Sequence, residues 1–278
     1  MTRSDQERSM HGNSRTIGLV VGAGGPTGGP FIHAALREIE LATGWVPSAA
    51  RTIVGTSAGA FVAASIGASP LHTSAEQFAA LSAMANAREL PAGFHHRAAS
   101  VVRRWAGAVI AAIAPSARPF AEYRVPASPY HPGSMVVTVR RRRGGRVVHQ
   151  LVDAEDPQAV VRASAAIPGL NKPVRVAGRD HVDGAVHSAA NIDVVPIDQH
   201  DCVIVIAPMV SASGGSIAGR FHRAQLRTEL HPWLMQGKPA LVIVPTATEH
   251  AGRRDRDTFE AAGRSAVARL RPKPSSEI

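Results

Sequence analysis

Three short stretches of this chain carry residue types that could do chemistry. The first is Gly55-Thr56-Ser57-Ala58-Gly59, a serine bracketed by glycines at the spacing G-x-S-x-G. That spacing suits a hydroxyl on a sharp strand-to-helix bend, where small neighbours let the backbone turn without a side-chain clash. A helix starting there points its positive end at the hydroxyl and favours negative charge developing beside it. The chemistry would be nucleophilic attack by Ser57, with Gly55 and Gly59 allowing the bend. The second stretch, GAGGPTGGP at 22–30, has three readings. It could cradle a phosphate, but G-x-G-x-x-G is loosely met, no acidic residue suited to a ribose follows the second strand, and no Walker lysine is present. It could supply backbone N–H groups to an oxyanion, or simply let a helix pack on a strand. The third is Asp183-Gly184, which fits a carboxylate base at a strand end and equally a plain Asp-Gly turn.

Such residues need a scaffold, and the apolar pattern supplies one. TIGLVV (16–21) is a continuous, β-branched run of the kind buried in a parallel sheet. It enters the glycine-rich stretch, after which Phe31, Ala35, Leu36 and Ile39 recur at helical spacing up to a stop at Gly44. A short strand at 52–54 enters the serine motif and continues as the apolar helix AGAFVAASIGA. Strand, glycine turn, helix, strand, sharp turn, helix is an α/β opening. Further on, 72–86 reads as a helix, and 101–115 as a core helix or, less simply, a membrane-facing lid. MVVTVRRRRGGRVVHQLVD reads as two strands around an Arg-Gly-Gly turn, and DPQAVVRASAAIPG as a helix with Asp156 as N-cap and Pro157 first. PVRVAGRDHVDGAV is hairpin-like, 202–208 and 240–245 are buried strands, and RDTFEAAGRSAVARL is a terminal helix. With no repeat and no linker, the expectation is one domain over 1–278, with flexible tails at 1–14 and 271–278.

The composition, 45% hydrophobic and 19% charged, is that of an ordinary globular protein. No apolar run is long enough to span a bilayer, and the polar N-terminus lacks the apolar core of a secretory signal. The single Cys202 excludes an internal disulfide and suits a reducing compartment, so a cytoplasmic location is expected. A net charge of +10 suggests an anionic partner, although arginine-rich coding alone would also produce it. Aromatic residues at 4% are too few for a base-stacking platform, so nucleic acid fits poorly. Anionic lipid headgroups fit better, with peripheral membrane contact.

Ala23-Gly24-Gly25-Pro26-Thr27-Gly28, then Gly55 to Gly59, then Asp183-Gly184-Ala185 together resemble the patatin-like phospholipase family. The approach to the aspartate, ASAAIPGL (163–170) followed by PVRVAGRDHVDGAVHS, is also similar. The resemblance covers about 16–70 and 135–210 plus the last helix. It implies a three-layer α/β/α fold with a mostly parallel central sheet. It also implies a lipid acyl hydrolase that acts on phospholipids or other acyl-ester lipids and needs no cofactor and no metal. In that reading Ser57 attacks an ester carbonyl, Asp183 takes its proton without a histidine, and Ala23, Gly24 and Gly25 line the oxyanion hole. The chain departs from the family's G-G-G-x-R/K-G loop: Ala23 replaces the first glycine and Thr27 the basic residue. Two other readings stay open. One is an α/β-hydrolase triad of Ser57, Asp183 or Asp201, and His250; the other is a catalytically silent lipid- or protein-binding module, suggested by the altered loop and the arginine run at 140–143.

Overall fold

Strands covered on both faces read as unbroken apolar runs, and here IGLVV, CVIVI and ALVI are buried along their whole length. The computed structural model of the chain describes residues 14–69, 72–87, 125, 127, 129–142, 144–212 and 217–272. The stretch 101–115 expected as a helix lies outside the described residues, as do most of both expected tails. β1 (Ile17–Val21) leads to α1 (Gly28–Thr43), and β2 (Thr52–Gly55) leads to α2 (Ala58–Ser65). After α3 (Ala75–Ala83) come β3 (Ser134–Arg140), β4 (Arg146–Gln150) and α4 (Pro157–Ser164). Then follow β5 (Val174–Val176), β6 (Arg179–Asp183), β7 (Cys202–Ile206) and α5 (Ile217–Met235). β8 (Ala240–Ile243), α6 (Ala247–Ala251) and α7 (Arg256–Ala268) complete the described order.

The eight strands form one sheet in the order β5-β6-β3-β2-β1-β7-β8, with β4 also on β3. The central run β3-β2-β1-β7-β8 is parallel, while β4 and β6 pair antiparallel with β3 and β5 antiparallel with β6. Because strand side chains alternate in direction, each buried strand feeds two cores. Leu19, Val21, Ile204, Ile206, Leu241 and Ile243 pack with Phe31, Ile32 and Phe259 of α1 and α7. Val20, Val203, Val205 and Val242 pack on the other side with Leu226, Leu230 and Trp233 of α5. The result is the expected three-layer α/β/α architecture around a mostly parallel sheet. Cys202 lies in the first of these cores, where burial pushes its thiol up to about 12 and leaves it unreactive.

Most expected elements occur, within a few residues of their expected ends. Two described helices are left unassigned by the apolar pattern, the five-residue α6 and the nineteen-residue α5. Pro232 inside α5 reads as a breaker, and its arginines and histidines dilute the apolar stripe. The stripe is nonetheless present: Leu226, Leu230 and Trp233 lie at helical spacing and are each less than a twentieth exposed.

The register of β3 does most to position the site. Val136 pairs with Gly55 of β2 and His149 of β4, while Thr138 pairs with Asp183 of β6 and Val147 of β4. A strand has two edges, so β4 takes one and β2 and β6 lie end to end along the other. β2 runs parallel to β3 and β6 antiparallel, so their carboxyl ends approach each other across Val137. Two residues 128 positions apart in sequence, Gly55 and Asp183, thereby end on either side of one residue of β3, Val137.

Candidate active site

Ser57 follows β2 by two residues and has φ 56 and ψ −119, an uncommon conformation for a residue with a side chain. Strain of this kind costs roughly 1–3 kcal/mol and persists only when the surroundings enforce it. Here the enforcement comes from the flanking glycines. A Cβ on Gly59 would strike the carbonyl of Val21, and one on Gly55 would lie 2.7 Å from the carbonyl of Gly59. Only bare backbone lets α2 approach β1 and β2 so closely, and this approach forces the bend at Ser57. Ser57 is also nearly buried, at 4% exposure.

The Ser57 hydroxyl donates to Oδ2 of Asp183 across 2.8 Å. Asp183 sits at the end of β6, its amide tied to the carbonyl of Ala166 and its Oδ1 accepting from the Ala185 amide at 2.8 Å. Burial pushes the Asp183 carboxyl up to about 7, against the lowering effect of the bonds from the Ala185 N–H and the Ser57 hydroxyl. A carboxylate near neutrality is a far better proton acceptor than one in the ordinary range. A further residue, not picked out by the sequence reading, locks the pair. Ser164, closing α4, accepts from the Ser57 amide at 3.0 Å and donates to the carbonyl of Val137 at 2.7 Å. It fills the gap on β3 between the ends of β2 and β6.

The glycine-rich loop stands beside the elbow. The Ala23 amide donates to the carbonyl of Ala189 at 2.8 Å, and the Ala23 carbonyl accepts from Met209, so Ala23 anchors the loop instead of offering its N–H to the site. Among the described residues the amides of Gly24 and Gly25 have no acceptor, and Gly25 takes φ 62. The Ala58 amide, first of α2, likewise has no acceptor among the described residues, as expected for an opening helical N–H. The sequence reading missed Ala58, although the residue after a motif serine is where such a donor is expected. Thr27, in the place of a basic residue, turns its hydroxyl to the carbonyl of Arg253.

Behind the elbow lies a buried polar network. Asn191, at φ 60, donates from Nδ2 to the Thr56 hydroxyl and the Ser188 carbonyl. The Ser188 hydroxyl accepts from the amides of Ala190 and Asn191. Glu229 of α5 accepts from the Ile192 amide at 2.9 Å, and burial pushes its carboxyl up to about 7. The 188–192 turn therefore holds both the loop, through Ala189, and the elbow, through Asn191.

Of the groups weighed for a triad, Asp201 lies at the amino end of β7, bound to Thr16 and Arg15, whereas the elbow is at the carboxyl ends of β1 and β2. His250 belongs to α6, with Nδ1 beside Arg253. His149 and His181 share the Thr138 hydroxyl, and burial lowers both, His149 to about 4. Among the described residues no three His, Cys, Asp or Glu side chains group as metal ligands. No helix there is long and apolar enough to cross a membrane.

VipD from Legionella pneumophila, a solved structure, matches 93% of this chain at 10% identity and a TM-score of 0.41. The present chain covers 66% of that chain. No match is found among the curated proteins. The family model described as patatin-like phospholipase matches residues 19–196, a span running from the first strand past the elbow and Asp183 to the turn that braces them. This chain belongs to the patatin-like phospholipase family.

Proposed function

We propose that this chain is a serine lipid acyl hydrolase of the phospholipase A or lysophospholipase type, working through a Ser57–Asp183 dyad in a single domain spanning 1–278. Family members are lipid acyl hydrolases, and the observation that carries the finer reading is the 2.8 Å bond from Ser57 Oγ to a buried carboxylate. Asp183 Oδ2 takes the hydroxyl proton as Ser57 Oγ bonds to the acyl carbon of the ester. The carbonyl oxygen becomes an oxyanion, held by the amides of Gly24, Gly25 and Ala58. Each such donor is worth about 10²–10³ in rate. Collapse breaks the bond to the alcohol, which leaves with the proton from Asp183, and the acyl group remains on Ser57. Water then attacks with Asp183 again accepting the proton, and the fatty acid departs. A cytoplasmic protein with peripheral contact on anionic membranes fits the lone buried thiol and the net charge of +10.

The test is fatty-acid release from phospholipid vesicles by the whole chain. Turnover by the parent, reduced about 10⁴-fold or more in Ser57→Ala, is expected. Equal release by both proteins would refute the assignment, and replacing His250 checks the triad alternative in the same assay.

A further inference from the structure

α5 lies against the sheet through Leu226, Leu230 and Trp233, and two of its polar side chains reach the segment that braces the site. Gln225 donates from Nε2 to the carbonyl of His187 at 2.7 Å, and Oε2 of Glu229 accepts from the Ile192 amide at 2.9 Å. Residues four apart share one face of a helix, so the pair grips both ends of the 187–192 segment at once. α5 lies beyond residues 19–196, the span that matches the family. Between the two grips, the Ala189 carbonyl takes the Ala23 amide at 2.8 Å, and Asn191 reaches the Thr56 hydroxyl at 3.1 Å. Ala23 leads directly into Gly24 and Gly25, and Thr56 directly into Ser57. Whatever fixes this segment therefore fixes the loop amides and the serine together.

The hydrogen bonds of the turn leave Glu229 one part to play. A hydroxyl has one proton and two lone pairs. Both lone pairs of Ser188 are taken, by the amides of Ala190 at 3.2 Å and Asn191 at 3.1 Å. Its proton therefore goes to Glu229, to which the hydroxyl is bonded. Glu229 thus receives two donors, the Ser188 hydroxyl and the Ile192 amide, and an ionised carboxylate accepts at both oxygens and donates at neither. The cation near it is committed elsewhere, because Nη1 of Arg146 meets both oxygens of Asp193 at 2.6 and 2.8 Å. Ser188 and Ile192 are buried, so without the carboxylate their donors would lose an acceptor that water cannot readily replace.

We propose that Glu229 is a positioning residue: from α5 its carboxylate fixes the 188–192 turn, and through that turn the glycine-rich loop and the Ser57 elbow. The catalytic consequence rests on the hydrolase reading; the bracing itself does not. Glu229→Gln keeps the size and one acceptor oxygen but turns an NH2 group toward a donor. In the whole chain it is compared with the parent and with Ser188→Ala, which cuts the same link from the turn side. The control is Glu260→Gln, a carboxylate of α7 paired with Arg264 at 2.8 Å. Thermal melts first establish that each protein folds. Amide hydrogen exchange is then followed residue by residue by NMR, and steady-state kinetics are measured on a short-chain ester. In Glu229→Gln and Ser188→Ala the Ala23 amide is expected to exchange about tenfold or more faster, with the β7 amides of Val203 to Val205 unchanged. kcat is expected to fall about tenfold with KM within about twofold, the mark of reacting groups set slightly out of place. Glu260→Gln is expected to match the parent in both measurements. Unchanged Ala23 exchange in Glu229→Gln, acceleration spread equally over β7, or an undiminished kcat beside an active parent overturns the proposal. If the parent itself releases no product, the hydrolase reading fails, and Ala23 exchange still decides the brace.

Discussion

At Ser57 and Asp183 two opposed demands meet. In the proposed reaction the hydroxyl needs a strong proton acceptor, yet a fully ionised carboxylate is costly to bury. The compromise is a carboxyl pushed up to about 7 and held by one amide and one hydroxyl. Only the ionised form can accept the proton, so kcat/KM should rise with pH and level off above about 7, as a pH–rate profile would show. A profile flat from pH 5 to about 8 would assign the base elsewhere. Stability has the opposite sign. The folded state binds this proton more tightly than the unfolded chain, in which an aspartate titrates near its ordinary value of 3.8. The group's contribution is complete below that value and is lost as pH rises through about 7. Asp183→Asn should therefore abolish turnover yet raise the melting temperature at pH 8, by about 1–3 kcal/mol of stability. The gap should close near pH 4, and a variant less stable than the parent at pH 8 would contradict it.

Among the elements, β3 brings the pair together and α4 locks it. Ser164→Ala leaves the Ser57 amide and the Val137 carbonyl without their partner, at a cost of about 1–3 kcal/mol. Loosening the elbow should also lower kcat by about 10²-fold with little change in KM, measurable by steady-state kinetics on a short-chain ester. A variant with unchanged kcat would show that the bend holds itself. The Ser164 contacts also mark the limit of what the sequence discloses. Gly55, Ser57, Gly59 and Asp183-Gly184 are legible because the backbone conformations they need are local and few residue types allow them. Ser164, Asn191 and Glu229 are ordinary residue types whose partners lie 107, 135 and 37 positions away, and nothing local marks them. The loop was legible as a feature but not amide by amide, because the acceptor for Ala23 is the carbonyl of Ala189, far along the chain. α5 escaped because Pro232 breaks the pattern in sequence but not the helix.

In the whole molecule, the sheet carries the site at the carboxyl ends of its central strands, and helices on both faces keep that edge rigid. The seam between α1 and α7 is one of these supports, with Phe259 fully buried against Phe31. Phe259→Ala should cost about 3–5 kcal/mol, read as a lowered urea midpoint. A loss below about 1 kcal/mol would mean that α7 is dispensable to the core. The most direct measurement is labelling of the whole chain with a fluorophosphonate, which bonds only to an activated serine, followed by peptide mapping. One adduct on Ser57, lost in Asp183→Asn while Asp201→Asn still labels, is the expected result. An adduct on any other serine, or labelling of Ser57 undiminished without Asp183, would contradict it.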